Sequence, residues 1–593
     1  MAIKNSLFRT MLHSAYPTRE GGQMRNGLWL MFLVIFMCTH LNAKTLEEWA
    51  KTFEPSALSY EEKVKELKWF RDVSKVLAKK LEGKTIRSAA EHIKTHFYER
   101  DVLSEAFFDI TGIRVKHNII GEGPVVKEIM TQLRTGRVIE HIYVNDADLI
   151  GTHLRYQGVV NLSEYMKGEG KKYTNPYLDL DDWLNLEFGQ DYSGNQLQLP
   201  DQQFSNLYWF RYDWFTDPKN KADFKQRFGY ELGVPINWAA YEDIAEFFTG
   251  REQKNPDGST VTAYGHLDYL KPSPSLGWRF TDAWLSIAGV GDKGLPNGIP
   301  VDEWGIRVEN RVPVGSMVER GGAMNSPAAV YALSKFMEWI KFAPPEAKDL
   351  EWHTAGPRAA KGDVAQRIFQ YITWLSTDAF HKKGSPVVGK DGDPVWRVAP
   401  TPHGRYWDEG MKVGYQDAGS WTIPMSVRDS YRAAAWLWAQ FASSKTVSLK
   451  KFLVGGTPVR KSTINHPYID KNIKQWAGLI EFYRSPTEKK WTDSGPNVPD
   501  YALSVTWVAN LEKSLKEFHN GASIPELAQK TMDQMARDQD DMMATLKLRK
   551  YSPKLNPIKS KDYWLKQPGS PKPERQPEKP ETIAYDQLIK QWQ

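Results

Sequence analysis

The stretch LPDQQFSNLYWFRYDWF (199–215) places polar residues first and then six aromatic rings: Tyr208, Trp209, Phe210, Tyr212, Trp214 and Phe215. Successive side chains of a strand point to opposite faces, so Tyr208 and Phe210 share one face while Trp209 and Arg211 share the other. Rings on both faces describe a strand covered on both sides. Each buried ring contributes about 2–3 kcal/mol by area. Read as such a strand, the stretch makes its rings mostly core material.

Around it lies a chain of 593 residues, long enough for two lobes with additions. A hydrophobic share of 41% and a charged share of 25% describe a globular protein, and the 12% aromatic content is high. Flat rings suit packing, and they also cover the C–H faces of sugars and polyols. The formal charge of +6 is small, and no basic block large enough for nucleic acid occurs in the body of the chain.

MRNGLWLMFLVIFMCTHLNAK, from Met24, has the layout of a secretory signal: Arg25, an apolar run from Leu28 to Met37, and small Ala43 at the expected cut. The run is short for a membrane span. Cleavage near Ala43 lowers 78 basic and 72 acidic residues to 74 and 71, or +3. The only cysteine, Cys38, lies inside this signal, so the exported chain has no thiol for disulfides or metal. Cys38 follows Ile35, Phe36 and Met37, which is unlike a lipoprotein cleavage site. Export to a periplasm is the expectation.

Residues 44–83 have helical spacing, with Val64, Leu67, Phe70, Val73 and Leu77 on one face. From Lys84 the pattern changes. KTIRSAAEHI, ITGIRVKHNII and HIYVNDADLIGTH read as strands, and GPVVKEIMTQLRTG reads as a helix closed by Gly136. This alternation predicts an α/β lobe with a mainly parallel sheet. Long helices are expected over 325–342 and 430–444, and the Pro- and Lys-rich tail 551–593 should wrap the surface in extended form or stay mobile.

Sequence signatures of chemistry are sparse. GVGDKG (289–294) fits a dinucleotide fingerprint by letter, but LPNGIP follows it and cannot start the helix that would hold a pyrophosphate. KDGDP (390–394) lacks the remaining calcium ligands and reads as a hairpin turn. No zinc, nucleophile-elbow or phosphate-loop spacing occurs, so no catalytic residue, metal or cofactor is assigned.

FFDITGIRV (107–115), VVKEIMTQLRTG (125–136) and HIYVNDADL (141–149) resemble the opening of the sugar-type solute-binding proteins of ABC transporters. LPDQQFSNLYWFRYDWF resembles that family's first crossing between lobes, and GDVAQRIFQYITW (362–374) its next strand and helix. WRVAPTPHG…GYQDAGSWTIPMS (396–426) resembles the return crossing, and GTPVRKS (456–462) a following segment; coverage runs from about 84 to 545. LGWRFTDAWLSIAG and the ending YWLKQPGSPKP…ETIAYDQLIKQW look most like the glycerol-binding component of a glycerol importer. Two departures stand out: residues 44–83 are not general to the family, and Ala418 stands where many members have Gly.

The resemblance implies a type II periplasmic-binding-protein fold, in which two lobes of mixed, mainly parallel sheet with flanking helices are hinged by crossing strands. It divides the chain into a leader 1–43, a helical extension 44–83, first-lobe segments 84–203 and 396–445, second-lobe segments 204–395 and 446–550, and the tail 551–593. It implies a ligand cleft lined by Gln202 and Gln203 at the hinge and by Asn145 and Asp146 at a strand end. Arg279, Asp282 and Trp284 would line the second lobe's side, with Tyr371 and the loop Gly419–Ser420–Trp421 completing it. Glycine lets backbone approach a ligand, Ser420 can donate or accept, and Trp421 can stack.

The implied protein is a monomeric, non-enzymatic binder of a small polyol or sugar that delivers it to inner-membrane permease subunits with a cytoplasmic ATPase. Rival readings are an oligosaccharide or glycerol phosphate on the same fold, a secreted carbohydrate-active enzyme, and an adhesive surface protein.

Overall fold

The short apolar runs after Lys84 pair as their pattern predicts. The computed structural model describes residues 43–146, 149–280, 284, 304–371, 378–402, 404–406, 416–485, 498–567 and 579–592. The runs form β1 (Thr85–Ala90), β2 (Arg114–Ile119) and β3 (Ile142–Asp146), with β1 parallel to both neighbours. A helix, Glu122–Thr135, joins β2 to β3 and stops at Gly136, whose φ of 72° is left-handed and free of strain only for glycine.

The aromatic stretch is β4 (Leu199–Arg211), buried along its whole length. With β5 (Gln366–Tyr371), β6 (Trp396–Ala399) and β7 (Gln416–Thr422) it completes a sheet of order β5-β4-β7-β3-β1-β2, and β6 also pairs with β4. Every pairing beyond β2-β1-β3 is antiparallel, so the sheet is mixed and its parallel part is confined to the first three strands. The first half of β4 pairs with β7, from Leu199↔Trp421 to Ser205↔Gln416. Its second half is held between β5 and β6, from Asn206↔Tyr371 to Arg211↔Trp396. One strand thus serves two halves of the sheet. Because β6 lies on the second half, the return to the first half begins only at β7.

The rings alternate as the strand geometry requires. Tyr208 and Phe210 meet Tyr241 and Phe215, and Trp209 meets Phe380 and Trp396 on the opposite side. Arg211 is buried beside Trp209, donates to Gly362 O at 3.0 Å and Asn255 Oδ1 at 2.9 Å, and lies over the Trp214 ring.

The extension folds as helices Leu46–Thr52 and Tyr60–Lys80. Leu67, Phe70 and Leu77 are buried, with Phe70 edge-on to Phe441 of the helix Asp429–Ala442. Buried Glu66 accepts from Asn175 Nδ2 and Thr446 Oγ1 at 2.7 and 2.6 Å, which ties the extension into the first half's core. The KDGDP turn closes through Gly389 N–H to Asp393 O at 2.8 Å. GVGDKG lies outside the described residues. Among the described residues no helix is long and apolar enough to cross a membrane.

The tail is strapped down where it is described. Lys554 and Asn556 donate backbone N–H to Pro313 O and Val314 O at 3.0 and 2.7 Å. The Trp564 indole donates to Glu319 O at 2.7 Å, and Arg307 lies over its ring. Thr582–Ile583 then pairs with Val234–Pro235, and Tyr585 packs on Phe210 and Tyr212. Trp564→Ala should cost about 2 kcal/mol in urea unfolding by lost burial. A change below about 0.5 kcal/mol would show that the strap adds nothing to stability.

Candidate functional site

Polar side chains collect where β1, β2 and β3 end. Glu91 follows β1, Glu122 opens the helix after β2, and Asp146 ends β3. Burial pushes the Asp146 carboxyl up to about 7, while a hydrogen bond with Glu122 pulls it down. Glu91 is raised well above the usual carboxylate range by burial and then by the charge of Asp146.

Gly419 of β7 stands opposite Asp146 on β3 and opposite Gln202 on β4. Directly opposed residues share a face, so Asp146 and Gln202 flank a position that carries no side chain. A Cβ at Gly419 would lie 3.0 Å from the Phe204 ring, so glycine admits that ring between the strands. His96 Nδ1 lies 2.9 Å from the Glu91 carbonyl oxygen, which can only accept. Nδ1 therefore carries hydrogen, and Nε2 meets the Gln202 amide at 3.0 Å. Whichever way that amide is turned, one end has no partner.

Such orphans gather here. Both carboxylate oxygens of Glu91, Oδ1 of Asn145, Oε1 of Gln202 and both amide atoms of Asn206 are buried without a hydrogen-bond partner. Each costs about 1–3 kcal/mol if left so, which a bound polar ligand would recover.

The remaining expected residues separate. Gln203 is engaged within the protein: its amide donates to Leu184 O at 2.9 Å and accepts from Asn185 Nδ2 at 3.3 Å. Ser420 bonds Ala418 O at 3.1 Å, on the Asn145 face of the sheet. Trp421 is no platform for stacking. Its N–H donates to Asp201 Oδ1 at 2.6 Å, and its ring is 5.7 Å from His117 and 5.9 Å from Trp438, inside the first half's core. Trp284 is likewise a core ring, packed on Phe336 and Trp339. Arg279 bonds Asp268 Oδ1 at 2.8 Å and Ile368 O at 2.9 Å, and lies over Tyr269. Tyr371 stands opposite Asn206 in register. Asp282 lies outside the described residues. Glu91, Glu122, His96 and Asn206 were not expected from sequence. Glu91 carries the same signal as Asn145 and Asp146, a polar residue just past an apolar strand.

Beneath this floor is a buried ionic cluster. Lys451 Nζ donates to Glu99 Oε1 at 2.8 Å and to Asp201 Oδ1. Burial pulls the Lys451 ammonium down, but Asp201 and Glu99 outweigh it and hold it charged. Burial raises Asp201, yet Lys451 brings it below the usual range; Glu99 is left raised to about 7 by burial and by Asp201. Lys451 touches both acids, and the two carboxyls shift in opposite directions. His96, Glu99 and Asp201 lie close enough together to hold a metal ion, but the Lys451 ammonium already supplies the cation there.

A cleft of about 1000 Å³ opens beside the strand ends. His92, Gly121 and Glu122 line it from the first half, and Ser275, Trp352 and Tyr501 from the second. At its rim Asp500 accepts from Arg134 at 3.1 Å and from the Tyr156 hydroxyl.

No family model and no curated protein sequence matches the chain. Solved structures do match its fold. A ribitol-bound ABC-transporter solute-binding protein of Agrobacterium radiobacter K84 is 18% identical, with a TM-score of 0.59 over 78% of this chain and 99% of that one. Maltose-bound MalE3 of T. maritima is 15% identical, with a TM-score of 0.55 over 77% and 99%. A D-mannitol-bound solute-binding protein of Agrobacterium vitis S4 is 14% identical, with a TM-score of 0.55 over 77% and 99%. The chain therefore has the two-lobed periplasmic-binding-protein fold, with β4 as a crossing strand.

Proposed function

We propose that the protein is the solute-binding component of an ABC importer, closing its lobes on glycerol or a related small polyol. The observation that carries this reading is the set of buried, unpartnered hydrogen-bonding groups on Glu91, Asn145, Gln202 and Asn206 beside the crossing. A polyol offers several hydroxyls close together, each able to donate and accept. The fold's relatives hold ribitol and D-mannitol. In this reading the exported, monomeric protein carries out no reaction. It hands its ligand to permease subunits that favour the open form, since a partner biases only an equilibrium already present. The cleft volume of about 1000 Å³ favours one second reading, an oligosaccharide such as the maltose of the T. maritima relative.

Titration calorimetry against glycerol, ribitol, mannitol and maltose separates the two. Saturable heat with a polyol and none with maltose is expected; the reverse replaces the polyol with the oligosaccharide. Affinity should also rise with pH. Hydroxyl donors favour the ionised form of Asp146, whose carboxyl sits at about 7 without ligand, so binding releases a proton. Between about pH 5 and 7 the gain is at most about tenfold per unit, and above about pH 7 it levels off. Affinity that falls across this range would mean Asp146 does not accept from the ligand.

A further inference from the structure

We infer that cleavage between Ala43 and Lys44 creates an α-ammonium whose seat is already built into the fold, at Asp109. The inference goes beyond the polyol reading and does not rest on it.

Two helices make the seat. The backbone N–H of Lys44 donates to Asp109 Oδ2 at 3.1 Å, and the Trp49 indole donates to the same oxygen at 3.0 Å. Asp109 lies on the helix Ser104–Thr111, and Trp49 on the helix Leu46–Thr52, whose N-cap is Thr45. Trp49 is buried and stacked on Phe53, so the indole that steadies the carboxylate is itself fixed. A capping box sets the direction in which the chain enters. In it Thr45 N–H donates to Glu48 Oε2 at 2.7 Å, and Glu48 N–H donates to Thr45 Oγ1 at 3.2 Å. The Lys44 nitrogen is thereby aimed at Asp109 by residues that all follow it in the chain.

Ala43, Lys44 and Thr45 are exposed, so the bond between the first two is open to an endopeptidase. The compact body of the chain runs from Lys44 to Gln593. Hydrolysis breaks the C–N bond of that peptide. Water gives its oxygen and one hydrogen to the Ala43 carbonyl carbon, and its other hydrogen to the Lys44 nitrogen. The proton of the new acid passes to the amine, which leaves a carboxylate on the leader and an ammonium on Lys44. The contact with Asp109 then carries charge on both sides, where before cleavage only the acceptor was charged.

The second charge of Lys44 is placed as well, with its ε-ammonium 4.2 Å from the centre of the Trp49 ring. Positive charge at the start of a helix opposes the helix dipole. Here it is answered by Asp109 and by Glu47 and Glu48 in the first turn. Register decides the rest. A chain that starts one residue earlier leaves an amide N–H at this place, and one that starts at Thr45 lacks the donor. Correct processing thus pins the first turn of the helical extension to the helix Ser104–Thr111.

The test uses the full chain, expressed with its leader in a bacterial host. The exported protein is sequenced from its N-terminus, and its α-amine is titrated through the pH dependence of its acylation. The sequence should begin at Lys44. The amine should titrate about half a unit above its ordinary range of about 7.7–8.0, and return to that range in Asp109→Asn. Hydrogen-exchange protection of Leu46–Thr52 at pH 6 should be about threefold higher in the unaltered protein than in the variant. That advantage should narrow as pH rises past the titration of the amine, because the ammonium is then lost. A first residue other than Lys44 overturns the inference. So does an amine that titrates within or below its ordinary range, or one that Asp109→Asn does not move. The unaltered protein decides the first two even if the variant fails to fold. Calorimetry with polyols remains a separate test, so the two readings fail independently.

Discussion

Lys451→Met should cost about 3–5 kcal/mol in denaturant unfolding, because it leaves two buried carboxylates without their cation. Lys451, Glu99 and Asp201 are nearly inaccessible, and the lysine touches both acids. The methionine fills the same volume, so packing alone predicts a small loss. The distinction is therefore sharp. A loss under about 1 kcal/mol would mean the acids are neutral in the folded protein and need no partner. A triple change that also turns Glu99 to Gln and Asp201 to Asn should recover much of the stability, since no buried charge remains.

Trp421→Ala should remove about 3–5 kcal/mol, as expected for emptying a ring-sized site in a packed core. The indole is closed in by His117 and Trp438 and donates to Asp201. Trp421→Phe should recover most of the packing while leaving the Asp201 contact unmade. Ligand affinity in the phenylalanine variant should stay near that of the parent. A tenfold or greater loss of affinity with stability unchanged would place the ring on the ligand after all. Trp421 and Lys451 share the same oxygen of Asp201, so their substitutions should couple by about 1 kcal/mol or more.

Much of the architecture is written locally. The strands up to Asp146, the helix closed by Gly136 and the two-faced burial of Tyr208–Arg211 all follow from periodicity and turn chemistry. The site is less legible, because its residues are sorted by register. Asp201, Gln202 and Gln203 are consecutive acceptors or amides in sequence. A register shift between Gly419 and Ser420 sends Asp201 to the ionic cluster, Gln202 to His96 and Gln203 to the 184–185 loop. Nothing near Gly419 in sequence announces that shift.

Trp421 misleads for a related reason. A tryptophan beside glycine and serine looks like a ligand ring, and only the distant helix Asp429–Ala442 shows that it is covered. Asn206 had the opposite fate. It sits at the head of the aromatic run, where β4 changes partners between the two sheet halves, and nothing local in sequence marks that switch.

The pairing of Thr582–Ile583 with Val234–Pro235, and the seat of Tyr585 on Phe210 and Tyr212, join the far end of the polypeptide to its middle. Contacts of such large sequence separation form late, after the entropy of closing a very long loop has been met. A nascent chain leaving the ribosome therefore lacks the Tyr585 cover on Phe210 and Tyr212 until synthesis is almost finished.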